Sequence, residues 1–128
     1  MNKGFKALVS EANQQIVTHS VEDAMTIFNQ EQALFVDIRD RPELDRDGQI
    51  PGAVHVSRGM LEFVVDPESP YHNPVFSESK PVLLYCASGG RSALAAKTLQ
   101  EMGMANVSHM AGGLKGWKEA GGQTTAVS

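Results

Sequence analysis

The chain has one cysteine in 128 residues, and that scarcity excludes more than any other feature. A single thiol closes no internal disulfide, makes no CxxC redox pair and builds no thiolate cage around zinc. What remains is a buried spectator or a lone reactive group. Long apolar runs are missing as well. Lys3 and Lys6, then Glu11, Asn13, Gln14 and Gln15, break up the N-terminal segment, so it lacks the ~7–15-residue apolar core of a secretory signal. No stretch approaches the ~18–20 residues of a membrane span. An excess of positive charge is absent too: the net charge of −4 argues against a general nucleic-acid or anionic-membrane binder. His19, His55, His72 and His109 are dispersed, with no i, i+4 pair of the metal-binding kind. The expectation is a cytoplasmic chain that uses neither metal nor cofactor.

Length sets the next bound. This is one domain's worth of chain, able to bury roughly two thirds of its unfolded surface. With 41% hydrophobic and 20% charged residues, the composition is globular. Phe5, Leu8, Val9 and Ala12 fall at i, i+3, i+4 and i+7, which predicts an amphipathic N-terminal helix. A short strand at 16–18 follows. Ser20, with Asp23 three residues on, predicts a capped helix whose apolar face carries Val21, Ala24, Ile27 and Phe28. Residues 33–36, 53–56 and 82–85 read as strands, and another begins at Val107. Residues 60–65, 92–102 and a segment carrying Leu114 and Trp117 read as helices. Residues 41–47 read as a charged stretch leading into the turn Gly48–Gln49–Ile50–Pro51–Gly52. Residues 66–81 hold four of the six prolines and read as a long loop. Strands alternating with helices predict an α/β domain with a mainly parallel central sheet. It occupies 16–122, after a helical extension at 1–15 and before a disordered tail at 123–128.

Cys86 falls where such a fold places ligands, beyond the carboxyl end of a strand. It directly follows Val82–Leu83–Leu84–Tyr85, the most continuously apolar run. Cys86–Ala87–Ser88–Gly89–Gly90–Arg91–Ser92 then turns into a helix. A helix N-terminus offers unpaired N–H groups and the positive end of a dipole. Gly89 and Gly90 can take positive φ, so successive N–H groups can nest around an anion. Arg91 adds a permanent charge. All three favour thiolate over thiol, and hence a nucleophile. A lone cysteine is more often a small core hydrophobe. Here strand end, paired glycines, arginine and helix all agree with a reactive role instead.

The segment from Cys86 to Ser92 resembles the active-site loop of the single-domain rhodaneses, the thiosulfate sulfurtransferases. Val36–Asp37–Ile38–Arg39 is similar to that family's first signature, and Gly48–Gln49–Ile50–Pro51–Gly52–Ala53 to its second. Gly112–Gly113–Leu114–Lys115–Gly116–Trp117 resembles its C-terminal signature. The resemblance runs from Ile16 to Ala120 in the family's order, and implies a three-layer rhodanese-like fold with helices flanking the sheet. It also implies that Cys86 attacks the outer sulfur of thiosulfate or another sulfane donor, releases sulfite and carries a persulfide. Ala87, Ser88, Gly89, Gly90, Arg91 and Ser92 would bind that sulfur. Cyanide or an acceptor thiol would then remove it. Without a second cysteine the persulfide cannot collapse into an internal disulfide, so the sulfur leaves to another molecule. Two other readings stand beside this one. One is a non-catalytic module or passive sulfur carrier serving a partner protein. The other is a cysteine phosphatase. Phosphatases place five residues between cysteine and arginine, whereas Ala87 to Gly90 are four. Tyr85, rather than histidine, precedes the cysteine.

Around this centre, Asp37 and Arg39 read as structural support, an ion pair bracing nearby loops. Arg58 follows the 53–56 strand. It either attracts a doubly charged donor together with Arg91 or is a solvated surface residue. His55 reads as a satisfied strand histidine and Trp117 as a core aromatic. Tyr71, His72 and Phe76 either contact substrate from the 66–81 loop or tie that loop down.

Overall fold

Each apolar run lies down as a short strand, and all pair in parallel: β1 (Val17–His19), β2 (Leu34–Asp37), β3 (Val54–His55), β4 (Val82–Tyr85) and β5 (Val107–Met110). The computed structural model describes residues 1–127 and orders the strands β1-β5-β4-β2-β3. β4 is therefore central, with Leu84 beside Val36 on one side and His109 on the other. Parallel neighbours need crossovers, which α2 (Val21–Asn29), α3 (Arg41–Asp47), α4 (Leu61–Val65) and α5 (Gly90–Glu101) supply, while α1 (Phe5–Gln15) precedes the first strand and α6 (Gly113–Glu119) follows the last. Among the described residues no helix is long and apolar enough to cross a membrane.

Side chains alternate along a strand, so β2 and β4 feed two cores. Val36, Val82 and Leu84 meet Leu61 and Val65 of α4 and Ala95, Ala96 and Leu99 of α5. Phe35, Leu83 and Tyr85 face the other layer, where Ala24, Leu114 and Trp117 pack. Trp117 meets Phe28 and Phe35 edge-on at centroid distances of 5.5 and 6.1 Å. The result is the expected three-layer α/β domain with a parallel central sheet. Ser20 accepts the Asp23 N–H at the start of α2, as its spacing predicts.

The departures have local causes. Residues 41–47, read as a charged stretch, form α3. Its one buried side chain is Leu44, too little apolar periodicity to be seen. The helix is defined at its ends instead, by the Glu43 carboxylate accepting the Asp40 N–H and by Gly48 as stop. α1 forms, but its predicted apolar face is not buried as a whole: Phe5 is 71% and Leu8 41% exposed, while Ala12 is fully buried. α5 begins at Gly90, two residues before the expected start. The tail expected to be disordered is held. Gln123 O accepts the Trp117 indole N–H, and Thr125 exchanges backbone hydrogen bonds of 2.8 and 2.9 Å with Gln49. Ser128 lies outside the described residues. In the 66–81 loop, Phe76 is buried in the α4/α5 core, and His72 hydrogen-bonds Val64 O and Ser77. These contacts tie the loop down.

One buried ion pair holds the loops at the carboxyl edge. Asp37 and Arg39 are both enclosed, and the guanidinium meets the carboxylate at 2.6 and 2.9 Å. The same guanidinium donates to Gly48 O at 2.6 Å, and Arg39 O receives the His55 ring at 2.7 Å. Removing one partner of such a pair strands the other charge in the core. Arg39→Ala is expected to cost about 3–5 kcal/mol, measured as a shift in the urea midpoint. A loss below about 1 kcal/mol would show that the pair is not a brace.

Candidate active site

Cys86 closes β4, and the chain turns at once into α5. The sulfur is 1% exposed and lies inside the turn. Gly89 N–H donates to Sγ at 3.1 Å and Ser92 N–H at 3.4 Å. Only one glycine takes positive φ here: Gly89, at 109°, while Gly90 is already helical. A Cβ on Gly89 would also stand 3.3 Å from Gly112 N. The nest therefore rests on Gly89 alone rather than on the glycine pair.

The loop's carbonyls are held away from the sulfur. Cys86 O accepts the N–H of Leu114 at 2.9 Å, and Ala87 O that of Lys115 at 3.0 Å, both in the first turn of α6. This contact requires Gly113, whose φ is 58° and whose Cβ would lie 2.5 Å from the Ala87 carbonyl. The glycine pair that the sequence presents as a chain break is thus a docking point for the cysteine loop. Tyr85 sits beneath it, and its hydroxyl accepts the Ile50 N–H at 3.1 Å. Burial pushes its pKa well above the ordinary phenol value, keeping the hydroxyl neutral.

Arg91 does not point freely at the sulfur. Its guanidinium grips Glu43 with two bonds of 2.9 and 2.8 Å. That grip, helped by the Asp40 N–H, pushes the Glu43 carboxyl down to about 2. Arg58 is engaged elsewhere, by Glu62 at 2.8 Å and Thr98 at 3.4 Å. Thr98 lies ~9 Å along α5 from Ser92, so the structure does not join Arg58 to Arg91. Asp37 and Arg39 stand at the end of β2 beside β4, occupied with each other and with Gly48.

Ser92 continues inward. Its Oγ lies 3.5 Å from Sγ and 2.9 Å from His109 Nδ1, and His109 Nε2 lies 2.9 Å from Asn13 Oδ1 on α1. Burial, and less so His19, pushes His109 down to about 4, so the ring is neutral near pH 7. Sequence reasoning missed four of these residues: Glu43, Gly113, His109 and Asn13. A D-x-x-E capping box at Asp40–Glu43 could have marked Glu43. His109 is the next-to-last residue of a strand, close to the ligand edge, which was a usable signal. Asn13 offered none.

Several clefts border the loop, among them two smaller ones. One, of about 230 Å³, runs between Arg39, Asp47, Ala87, Leu114, Lys115 and Lys118. The other, of about 350 Å³, is walled by Val9 and Asn13 of α1, Ser88 to Gly90, and His109. A cavity of about 550 Å³ opens near Leu34 and Lys80, at the opposite end of the strands from the cysteine. Among the described residues no group of His, Cys, Asp and Glu is arranged to hold a metal ion.

A cysteine nested in backbone N–H groups at the end of a central parallel strand defines a class. The rhodanese-like domain family matches residues 20–120, and the chain belongs to it. A Rhodopseudomonas palustris protein of unknown function, called a possible tyrosine phosphatase, is 47% identical with a TM-score of 0.94, over 98% of this chain and 96% of that one. A polysulfide-sulfur transferase from Wolinella succinogenes is 32% identical with a TM-score of 0.71, over 97% and 88%. A mouse thiosulfate sulfurtransferase/rhodanese-like domain-containing protein is 28% identical over 72% of this chain, which spans 62% of that protein's length.

Two tests follow from this geometry. Gly113→Ala is expected to cost about 2–4 kcal/mol, because the methyl meets backbone at a positive φ. A urea midpoint within error of wild type would refute the docking role. Acid should erode stability in two stages. His109 takes its proton near the ordinary 6.5 in the unfolded chain and at about 4 in the folded one, so its contribution disappears across that range. Glu43 contributes above the ordinary carboxyl value of 4.5 and loses this as pH falls toward about 2. Glu43→Gln should abolish the lower stage alone. Unchanged acid unfolding in that variant would contradict the assignment.

Proposed function

We propose that this protein is a sulfurtransferase that carries sulfane sulfur as a persulfide on Cys86. The observation that supports it best is the direction of the loop's polar groups, with N–H toward Sγ and C=O toward α6. Such an arrangement stabilises negative charge on a sulfur without a metal. In the first half-reaction the Sγ thiolate attacks the outer sulfur of the donor. With thiosulfate the S–S bond breaks and sulfite leaves with the electron pair. In the second, an acceptor thiolate or cyanide attacks the outer persulfide sulfur and restores the Cys86 thiolate. Residues 87–92 would hold the transferred sulfur, and Lys115 on the wall of the smaller cleft would favour an anionic donor. With Arg91 committed to Glu43 and Arg58 to Glu62, the cationic charge beside the loop falls to Lys115 and Lys118 of that cleft. A polysulfide chain, as in the name of the Wolinella relative, is a dianion like thiosulfate and stands beside it as a donor.

The phosphatase reading draws on the description of the Rhodopseudomonas relative. Chemistry at phosphorus needs the loop arginine to clamp the phosphoryl oxygens. Here both arms of Arg91 are taken by Glu43, and the loop is one residue short.

Incubation with thiosulfate, or separately with polysulfide, should add the mass of about one sulfur atom to intact protein. Cys86→Ser should gain nothing, and wild type should form thiocyanate from cyanide. Persulfide formation without thiocyanate or transfer to any thiol would leave a passive carrier. Hydrolysis of an aryl phosphate, without any mass gain, would replace the proposal with the phosphatase.

A further inference from the structure

The chain Cys86–Ser92–His109–Asn13 links the reacting sulfur to a helix outside the family-matched residues 20–120. Its members can donate and accept in only certain directions. Asn13 Oδ1 accepts, so His109 Nε2 carries the ring proton. A neutral ring then leaves Nδ1 as an acceptor. The Ser92 hydroxyl has one proton and two acceptors in reach, His109 Nδ1 at 2.9 Å and Gly89 O at 3.3 Å, of which the imidazole nitrogen is the nearer. Ser92 Oγ consequently turns a lone pair toward Cys86 Sγ at 3.5 Å, a partner for S–H and not for S⁻.

We propose that His109 is a positioning residue: oriented by Asn13, it draws the Ser92 proton away from Cys86 and so favours the thiol form of the resting sulfur. The thiolate has the Gly89 and Ser92 N–H groups, but the hydroxyl that would complete its shell is withheld. When the ring takes a second proton at Nδ1, it donates to Ser92 Oγ, and the Ser92 O–H is released toward the sulfur, whose negative charge makes it a stronger acceptor than Gly89 O at 3.3 Å. Protonation of His109 thereby assists ionisation of Cys86, and by reciprocity the thiolate assists protonation of His109. The charged and titratable groups facing this chain are His19 from β1, Arg91 from α5, and Glu43 of α3 through Arg91.

The inference concerns the same cysteine as the proposed sulfur transfer, but its test reads ionisation and not turnover, so either can fail alone. Thiolate absorbance at 240 nm, taken as the difference from Cys86→Ala, gives the pH midpoint of Cys86 in each protein. His109→Leu frees the Ser92 proton and should lower that midpoint by about one pH unit, roughly the effect of one charge-assisted hydrogen bond. Adding Ser92→Ala should cancel the drop. Ser92→Ala alone should not raise the midpoint, since its hydroxyl does not serve the thiolate. The ¹⁵N shifts of His109 in wild type at pH 7 should report the Nε2–H tautomer. A rise of about a unit in Ser92→Ala, an unchanged or raised midpoint in folded His109→Leu, or an Nδ1–H ring would each overturn the proposal. The serine variant and the tautomer measurement decide it even where His109→Leu does not fold.

Discussion

Everything at the carboxyl edge depends on one division of polarity in the cysteine loop: the N–H groups of Gly89 and Ser92 go to a sulfur, and the carbonyls of Cys86 and Ala87 go to another helix. A turn this tight cannot leave both sets free inside a protein, because a buried unpaired amide costs as much as a lost hydrogen bond. The first turn of α6 takes the carbonyls of Cys86 and Ala87, and the space for that contact exists because Gly113 has no side chain. With the carbonyls engaged, the N–H groups of Gly89 and Ser92 have Sγ as their partner. The glycine pair and the cysteine loop are therefore one device, although 25 positions separate Gly112 from Ala87 in the numbering.

Charge is distributed on the same principle. Three arginines at this edge each have a carboxylate: Arg39, read from the sequence as a brace, has Asp37, while Arg58 and Arg91, read as sources of positive potential, have Glu62 and Glu43. The first pair is enclosed, so its worth lies in position, because a buried ion pair gains little net energy but is costly to break. The Arg91–Glu43 pair joins α3 to the start of α5 and completes the frame around the loop. What stabilises negative charge on the sulfur is then backbone, fixed in direction and insensitive to side-chain motion. Backbone donors suit a small monatomic anion, whereas a forked guanidinium suits planar oxyanions.

How much of this was legible depended on whether the information was local. Strands such as Val82–Tyr85 announce themselves because both faces are covered, and Ser20 announces a helix because capping is settled within three residues. The position of Cys86 followed from strand, glycine and helix in sequence. α3 was missed because a helix with one buried side chain has no apolar period to detect. The tail was misjudged because Thr125 finds its partner at Gln49, a pairing no neighbouring residue encodes. α1 was misread in the other direction. Its apolar spacing is real, yet Phe5 and Leu8 stay exposed; Ala12 is its one buried side chain, and the exposed Asn13 adds a polar contact to His109.

That polar contribution bears on the cysteine's solitude. A thiolate is the form that oxidants attack, and a chain with no second cysteine has no internal disulfide in which to store an oxidised sulfur reversibly. A site that only stabilised the anion would hold its single nucleophile in its most vulnerable state. In the proposed hydrogen-bond direction, the N–H nest supplies reactivity while His109 keeps the last donor in reserve. In the proposed cycle, once a sulfur is loaded, Sγ is bonded to sulfur and carries no proton, so the withheld hydroxyl no longer opposes the charge, which has moved to the outer atom. The arrangement would then penalise the empty thiolate and not the loaded persulfide. On this proposal a helix outside the family-matched segment biases which state of Cys86 is exposed to chemistry.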